Sequence, residues 1–361
     1  MISLAGLLRK PRFSKDRKAG LSVFGKVNAR RHDIKIKGRK ESFHMDNKLT
    51  FNKPWIMQRA DPYVYRHTDG SYYFTASVPA YDRIILRRSD TLAGLAEAEE
   101  KTVWHCHEKG PMSKHIWAPE LHHVFGKWHI YYAGGEIDDP WKIRPYVLRC
   151  EGEDPINDTW TELGMMNAHE DDEFSFRAFS LDATVFRCGD AHYYVWAEKV
   201  GVGRQISNLY IARMKDGNHL DTVQVLLTTP DYDWERRGFW VNEGPAVIKR
   251  DGKIYLTYSA SDTGVNYCMG MLTADEGSDL LDPLSWKKER YPVLGTDWDR
   301  GIYGPGHNSF TTDEDGKDIL VFHARTESEI EGDPLYNPNR HTMLQPIRWA
   351  DGKPVFSYDN V

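Results

Sequence analysis

The stretch that decides the fold is Asp182-Ala-Thr-Val-Phe-Arg-Cys-Gly-Asp-Ala-His-Tyr-Tyr-Val-Trp-Ala197. An acid begins it, a short apolar run follows, glycine and aspartate provide a turn, and a β-prone aromatic run ends it. Two extended segments joined by so short a turn predict a β-hairpin. The same order of residue types recurs in residues 61–77, 117–133, 243–259 and 307–323.

The five hairpins are evenly spaced. Their turn residues, separated by 56, 64, 62 and 64 residues, are Gly70, Gly126, Asp190, Gly252 and Gly316. A repeat of about sixty residues has room for four short strands with their loops. We therefore predict an all-β protein, a five-bladed β-propeller. A β-sandwich whose hairpins are similar by coincidence is the alternative.

The charge distribution divides the chain into two parts. The protein has 361 residues and a net charge of -6, but residues 1–45 hold thirteen Lys or Arg against three Asp or Glu. We predict a basic, flexible N-terminal extension at residues 1–45 and a catalytic propeller domain at residues 46–361. The acidic body would repel nucleic acid, and no apolar stretch approaches the roughly 20 residues that span a bilayer. We expect neither partner.

Four cysteines lie far apart, at Cys106, Cys150, Cys188 and Cys268. No Cys-x-x-Cys pair occurs, and the density is too low for a disulfide scaffold, so we interpret them as buried, reduced thiols. The first residues do not form a convincing signal peptide. Together these features predict a cytoplasmic protein.

Three carboxylates fall near the same place in their repeats. Asp61 and Glu243 lie nine residues before their turn residues, and Asp182 lies eight before its own. Trp117 and His307 lie at the matching place in the other two repeats. Equivalent positions of a propeller face one another around the channel, so we expect one shared pocket. Crowded acids have separated pKa values, as general acid and base catalysis requires. The alternative is that these acids only cap turns or pair with arginine.

At six places the sequence resembles family 43 of the glycoside hydrolases. The resemblance covers about residues 50–350, and its motifs are Ala60-Asp61-Pro62, Trp117-Ala118-Pro119-Glu120, Ser180-Leu181-Asp182-Ala183-Thr184, Val241-Asn242-Glu243-Gly244-Pro245, Gly304-Pro305-Gly306-His307-Asn308 and His323-Ala324-Arg325. Members of that family are five-bladed propellers that cleave arabinofuranosyl or xylosyl linkages with inversion.

The resemblance implies a role for each carboxylate. Asp61 matches the general base, Glu243 matches the general acid, and Asp182 matches the third carboxylate, which orients the acid and tunes its pKa. An ionised Asp182 nearby would raise the pKa of Glu243. Inversion requires two carboxyl groups far enough apart for a water molecule to enter.

The remaining matches concern the substrate and a metal. By the same resemblance, Trp117 forms a wall of the sugar pocket, and Arg325 reaches substrate hydroxyls or braces a carboxylate. Arg340 and Arg177 are weaker candidates, because nothing in the sequence directs them inward. His307 matches an axial histidine beside which some members hold calcium or a water cluster. No cofactor is required, since carboxylates alone perform the reaction; the candidate metal is a structural calcium at His307.

These observations predict an inverting, exo-acting α-L-arabinofuranosidase that acts on pentose-containing oligosaccharides derived from arabinan or arabinoxylan. Residues 174–186, 193–214 and 258–271 resemble arabinofuranosidase members more than xylosidase members. Exo action follows from the predicted cytoplasmic location, where only short imported sugars occur. The alternatives are a β-D-xylosidase, a retaining enzyme, and a propeller that binds sugar or protein without catalysis. The oligomeric state is left open.

Overall fold

The computed structural model describes residues 49–201 and 204–361, and the predicted basic extension at residues 1–45 lies outside the described residues. Within these ranges the chain consists of strands and three short 3-10 helices, Ala93–Ala96, Asp233–Glu235 and Pro283–Ser285. None of the helices in these ranges has the length and apolarity needed to span a membrane.

The strands form five successive antiparallel sheets, which confirm the predicted five-bladed propeller. A short strand β1 (Pro54–Ile56) precedes them. Blade 1 contains β2 (Ala60–Arg66), β3 (Tyr72–Ser77), β4 (Arg83–Ser89) and β5 (Lys101–His105). Blade 2 contains β6 (Lys114–Val124), β7 (Lys127–Gly135), β8 (Arg144–Cys150) and β9 (Trp160–Met165). Blade 3 contains β10 (Ser180–Cys188), β11 (Ala191–Val200), β12 (Ile206–Asp216), β13 (His219–Leu220) and β14 (Val225–Thr228).

Blade 4 contains β15 (Asn242–Arg250), β16 (Lys253–Ala260), β17 (Cys268–Asp275) and β18 (Lys287–Lys288). Blade 5 contains β19 (Tyr303–Thr312), β20 (Asp318–Arg325) and β21 (His341–Pro346), and a hairpin of β22 (Arg348–Ala350) and β23 (Lys353–Val355) follows. The first strands of neighbouring blades, β2, β6, β10, β15 and β19, contact one another in a closed ring around the central channel.

The start of the described chain closes the ring. Strand β1 pairs antiparallel with β21, so that Pro54 faces Met343 and Ile56 faces Thr342. The amide of Asn52 also donates to the carbonyl of Leu344 at 2.9 Å. Blade 5 therefore takes its fourth strand from the other end of the propeller. This pairing covers an otherwise open sheet edge.

The first strand of every blade has a bulge at the same place. Pairing with the second strand shifts after Ala60, Trp117, Leu181, Glu243 and Gly306. The next residue has a left-handed backbone in each blade, with φ of 53° at Asp61, 46° at Ala118, 51° at Asp182, 54° at Gly244 and 44° at His307. A bulge bends the strand and changes the direction of a side chain, which here happens at one end of the channel.

The bulges correct one sequence-based expectation. Asp61 and Asp182 occupy the left-handed position, but Glu243 lies one residue before it and shares the position of Trp117. The three acids are therefore not equivalent. The same number of residues before the turn does not give the same position in the strand, because the hairpin loops differ in length. Arg250 and Lys253 flank a two-residue loop, whereas Arg66 and Tyr72 flank a longer one.

The blades pack through large aromatic side chains. Trp128, Trp196, Tyr194 and Tyr258 are among the largest fully buried side chains. In blade 4 the ring of Tyr258 lies over Gly270, its partner across the β16–β17 pair. A Cβ at Gly270 would overlap that ring. Glycine at this position is therefore required for the close approach of the tyrosine.

We expect Gly270→Ala to lower the free energy of unfolding by about 1 to 3 kcal/mol, because the buried Tyr258 ring must move to admit the methyl group. Chemical denaturation monitored by tryptophan fluorescence measures the change. Gly277→Ala is the matched control, since a Cβ there meets nothing within 4 Å. Equal stability of the two variants would contradict the packing described.

Candidate active site

One cavity of about 1110 Å³ collects five of the six predicted site residues, which are Asp61, Trp117, Asp182, Glu243 and His307. Asp61, Asp182 and His307 come from the left-handed positions of blades 1, 3 and 5, and Trp117 and Glu243 come from the preceding position of blades 2 and 4. Residues more than 240 positions apart in the chain therefore share one pocket.

Asp61 is a buried carboxylate surrounded by donors. Ser77 Oγ donates to its Oδ2 at 2.6 Å, and Arg340 Nη1 donates to its Oδ1 at 3.3 Å. The Nδ1 atom of His307 lies 3.3 Å from the same Oδ1. Burial alone would raise the pKa of Asp61, but His307 and Arg340 outweigh it and hold the pKa well below its usual range. Asp61 is therefore ionised at neutral pH.

His323 contacts Asp61 as a neutral ring. Its Nδ1 accepts a hydrogen bond from the Asp61 amide at 3.0 Å and lies 3.3 Å from Oδ1 of the same residue. A nitrogen that accepts from an amide carries no proton, so the contact with the carboxylate is not an ion pair. Burial lowers the pKa of His323 to about 3, and Arg340 adds to this effect. The ring also stacks on Tyr267, with centroids 5.6 Å apart.

At four of the five bulges, a side chain of the preceding blade accepts a hydrogen bond from the amide of the left-handed residue. Ser77 Oγ accepts from Ala118 at 2.8 Å, Asp182 Oδ2 accepts from Gly244 at 3.2 Å, and Ser259 Oγ accepts from His307 at 2.7 Å. His323 serves the amide of Asp61 in the same way. A buried amide that leaves a strand ladder needs another acceptor. These bonds therefore hold the bulges and join the blades at the site.

Asp182 is buried and holds its proton. Burial raises its pKa, His307 opposes this effect, and the charges of Glu243 and Asp61 add to it, so that the pKa lies at about 8. This differs from the expectation of an ionised Asp182 that raises the pKa of Glu243. The physical reason is depth: the side chain accepts the Gly244 amide but lies 3.7 Å from the nearest cation, His307.

Glu243 is a half-buried carboxyl that also favours its protonated form. Burial raises its pKa and the charge of Asp61 adds to this, while His307, Lys199 and a hydrogen bond from Tyr267 act in the opposite direction. Tyr267 Oη donates to Oε1 of Glu243 at 2.9 Å. Because Oε1 accepts this bond, Oε2 is free to carry the proton. The cavity thus combines one carboxyl with a lowered pKa, Asp61, and two with raised pKa values, Asp182 and Glu243.

His307 does not fit the metal ligand suggested by the sequence. Burial would lower its pKa, but Asp182, Asp61 and Glu243 outweigh burial and raise it. A raised pKa favours the protonated imidazole, which has no lone pair for a metal, and calcium prefers six to eight oxygen ligands. Within residues 49–201 and 204–361, no group of three or more His, Cys, Asp and Glu side chains is arranged to hold a metal ion. The calcium stays a prediction, and we derive no step through it.

Trp117 forms part of the cavity wall inside an aromatic group. His115 stacks on its indole with ring centroids 4.6 Å apart, and the ring centroid of Trp141 lies 6.3 Å away. His115 Nε2 in turn contacts the hydroxyl of Tyr336 at 2.9 Å. This arrangement presents an apolar surface of the kind that stacks on a sugar ring.

The arginines are placed differently from what we expected. Arg325 is buried, but it does not line the cavity; its guanidinium donates to Asn337 Oδ1 at 2.7 Å and to the Pro334 carbonyl at 2.9 Å. It therefore braces the β20–β21 loop rather than facing the sugar. Arg340, a weaker candidate in the sequence, lines the cavity and contacts Asp61. Arg177 is exposed outside it.

No sequence pattern indicated a role for Tyr267, Lys199 or His323 in the cavity. His323 could have been found, because it begins the motif that ends at Arg325. Tyr267 and Lys199 carry no such signal. Lys199 lies at the end of a strand, and Tyr267 lies in a loop, so their place in the cavity depends on how the blades assemble.

Comparison with known proteins gives a family. The model of glycosyl hydrolases family 43 matches residues 51–354. An extracellular exo-alpha-(1->5)-L-arabinofuranosidase of Streptomyces avermitilis is 48% identical over 310 residues, which are 85% of this chain and 63% of the relative. The protein of the same name from Streptomyces chartreusis is 48% identical over 285 residues, 79% of this chain and 85% of the relative.

A solved structure supports the same grouping. The crystal structure of alpha-L-arabinofuranosidase from Lactobacillus brevis aligns with a TM-score of 0.80 and 51% identity, and covers 85% of this chain and 96% of that one. The present chain spans less than two thirds of the Streptomyces avermitilis relative, at 63% of its length.

The prediction of a cytoplasmic protein was wrong. Both Streptomyces relatives are named extracellular. The cysteines do not indicate the compartment, because Cys150, Cys188 and Cys268 are each buried and free. A thiol enclosed in a core meets neither oxidant nor partner in any compartment, so it does not report the redox conditions outside.

We expect Asp182→Asn to stabilise the fold increasingly as the pH rises from 4 to 8. Asp182 has a raised pKa, about 8 against an ordinary 3.8. Folding therefore takes up a proton between these values, and stability present below pH 3.8 is lost as the pH approaches 8. Asparagine removes this loss and can still accept the Gly244 amide. Its melting temperature should exceed that of the wild type by about 2 °C or more at pH 8.

Scanning calorimetry at constant ionic strength measures this difference. Asp315→Asn is the control, because Asp315 is an exposed carboxylate with 79% of its side chain accessible. Its melting temperature relative to the wild type should stay constant over the same range. A pH-independent difference for Asp182→Asn would show that Asp182 is ionised in the folded protein.

Proposed function

The chain belongs to glycosyl hydrolase family 43, and we propose that it is an inverting, exo-acting α-L-arabinofuranosidase. Its substrates are oligosaccharides derived from arabinan or arabinoxylan, from which it releases terminal arabinofuranosyl units. The observation that carries the proposal is that the pKa of Asp61 is lowered and the pKa of Glu243 is raised within a single cavity. A base without its proton and an acid with its proton are what inverting hydrolysis requires.

Asp61 acts as the general base. It takes a proton from a water molecule as that water attacks the anomeric carbon. Ser77 and Arg340 hold the two carboxylate oxygens, so the group has a fixed direction. Its low pKa keeps it ionised, at the cost of a weaker base, and fixed orientation compensates for the lower basicity.

Glu243 acts as the general acid. It gives its proton to the glycosidic oxygen as the bond from that oxygen to the anomeric carbon breaks. Tyr267 fixes Oε1 and leaves Oε2 for this transfer. After the reaction, Asp61 holds a proton and Glu243 has lost one, and exchange with solvent restores both. The two residues stand on the non-adjacent blades 1 and 4, which suits attack and departure from opposite sides of one sugar.

Asp182 and Trp117 position the acid and the substrate. The protonated Asp182 binds the amide of Gly244, the residue directly after Glu243, and so orients the acid through the backbone. Trp117 offers its braced indole to the sugar ring.

Exo action now rests on the walls of the cavity and on the relatives, not on the compartment. The loop between β20 and β21 lines the cavity with Asp333, Pro334 and Leu335. Arg325 holds this loop, and Tyr81 Oη donates to the Leu335 carbonyl at 2.6 Å. A fixed wall on one side favours a chain end over a chain interior. The names of both Streptomyces relatives include exo-arabinofuranosidase activity.

A direct test compares release of nitrophenol from 4-nitrophenyl α-L-arabinofuranoside and from 4-nitrophenyl β-D-xylopyranoside. We expect clear preference for the arabinofuranoside. Proton NMR of the first-formed sugar should reveal the β-anomer, as inversion of the α-linkage requires. Preference for the xyloside would replace the proposed specificity, and an α-anomer formed first would indicate a retaining enzyme.

We expect Asp61→Asn and Glu243→Gln each to reduce turnover of arabino-oligosaccharides by about 10² to 10⁴ or more, since each removes one proton-transfer step. Binding of the oligosaccharide, measured by calorimetry with the inactive variants, should survive. Asp315→Asn again serves as the control with unchanged turnover. Unchanged turnover of both cavity variants would support the binding-only propeller instead.

We expect Arg340→Gln to move the acidic limb of the kcat/KM profile to higher pH. Arg340 lowers the pKa of Asp61, so its removal raises the pH at which the base becomes ionised. A shifted alkaline limb with a fixed acidic limb would contradict the assignment of Asp61 as the base.

A further inference from the structure

Lys199 is a cation in the cavity for which the proposed reaction has no role so far. It lies near the end of β11, and its backbone amide donates to the carbonyl of Phe179 at 2.9 Å. Its Nζ atom lies 3.8 Å from the centroid of the Phe179 ring. Both residues line the cavity together with Glu243. A cation–π contact of this kind fixes the position of the ammonium group.

The ammonium group lacks a close counter-ion. Among residues 49–201 and 204–361, no carboxylate forms an ion pair with Lys199, although surface lysines such as Lys142 and Lys249 do form such pairs. Burial lowers the pKa of Lys199, and the negative charge that Glu243 carries when it is ionised opposes this effect. A half-buried cation without a partner is unfavourable. The presence of an unpaired Lys199 in the same cavity as Glu243 therefore needs an explanation.

The surroundings of Glu243 show what Lys199 adds. The groups that act on this carboxyl come from five elements: Asp61 on β2, Asp182 on β10, Lys199 on β11, Tyr267 before β17 and His307 on β19. Arg204 and Asp262 line the cavity farther along its wall. Tyr267 is a neutral donor, and His307 lies within 4 Å of both Asp61 and Asp182. Among the cations of this group, Lys199 is the one that forms no ion pair with another carboxylate of the described residues.

We infer that Lys199 is a positioning residue whose ammonium group stabilises the carboxylate that Glu243 becomes once it has given its proton to the leaving oxygen. The inference rests on the proposed function, because it assigns Lys199 to the same proton transfer. No new bond forms and no co-reactant is needed. The proton moves from Oε2 of Glu243 to the glycosidic oxygen, and the nearby positive charge favours the product of that transfer.

Two consequences distinguish this role from a purely structural one. A cation that stabilises the carboxylate strengthens the acid, so its removal should raise the pH of the alkaline limb of kcat/KM. Removal should also slow the reaction most where the leaving group depends on protonation. A sugar alcohol depends on it strongly, whereas 4-nitrophenolate leaves with little assistance.

The test compares Lys199→Met with Lys199→Arg. Methionine keeps an unbranched side chain against Phe179 without the charge, and arginine keeps the charge. We expect Lys199→Met to shift the alkaline limb upward by about 0.5 pH unit or more. Its kcat should fall at least about tenfold on an arabino-oligosaccharide and less than threefold on the nitrophenyl arabinofuranoside, at unchanged KM. Lys199→Arg should restore the wild-type limb.

The control for net charge is Lys317→Met, since Lys317 has 71% of its side chain accessible and pairs only with the exposed Asp315. Its profile should match that of the wild type. A wild-type alkaline limb in Lys199→Met would overturn the inference. So would a raised KM for the oligosaccharide at a fixed limb, because that result would assign Lys199 to binding of the leaving sugar.

A second measurement does not depend on activity. In protein labelled with ¹³C at the glutamate carboxyl carbon, the signal of Glu243 is identified by its loss in Glu243→Gln. Its titration should move to higher pH in Lys199→Met, and an unmoved titration would overturn the inference. If the wild type shows no glycosidase activity at all, the proposed function fails, while this titration still decides the effect of Lys199 on Glu243.

Discussion

The bulge in the first strand of each blade is the constraint on which the rest of this structure depends. It places a left-handed residue at the same depth in all five blades and frees an amide that must find another acceptor. At four of the five bulges the preceding blade supplies that acceptor, through Ser77, Asp182, Ser259 and His323. One local irregularity thereby directs side chains into the channel and binds neighbouring blades together. Some residues of the site therefore also form the hydrogen bonds that hold the ring of blades together.

The chemistry of the cavity follows from how unevenly its few cations are distributed. Arg340 and His307 lie against Asp61, which is therefore ionised despite burial. Asp182 and Glu243 are buried with less compensation and favour their protons. The pKa values of similar carboxyl groups are thus shifted in opposite directions by their neighbours and not by their own chemistry. Glu243 also has a longer side chain and a position one residue earlier in its strand, which brings it into the same cavity from a different backbone site.

The protein keeps features at this site that disfavour folding. Non-glycine residues such as Asp61 and His307 adopt left-handed backbones, and Asp182 must bind a proton to fold at neutral pH. Closure by β1, the aromatic packing of the blades and the inter-blade hydrogen bonds offset these costs. The loop braced by Arg325 also combines a stabilising contact with residues that line the site. A buried arginine secures the backbone so that Asp333 and Leu335 can line the cavity.

By itself, the sequence determined the propeller, its five blades and the acids at the blade starts, because hairpin pattern and repeat length are local properties. It also singled out Trp117 and His307. Only the tertiary structure decided that Glu243 lies one residue before the left-handed position that Asp61 and Asp182 occupy in their own blades. Counting residues back from the turn does not reveal this, because the hairpin loops differ in length. The tertiary structure likewise decided that Arg340 and not Arg325 faces the cavity, and that Tyr267 and Lys199 act on the acid. Such contacts join blades far apart in the chain, and the protonation states follow from burial, which exists only after folding.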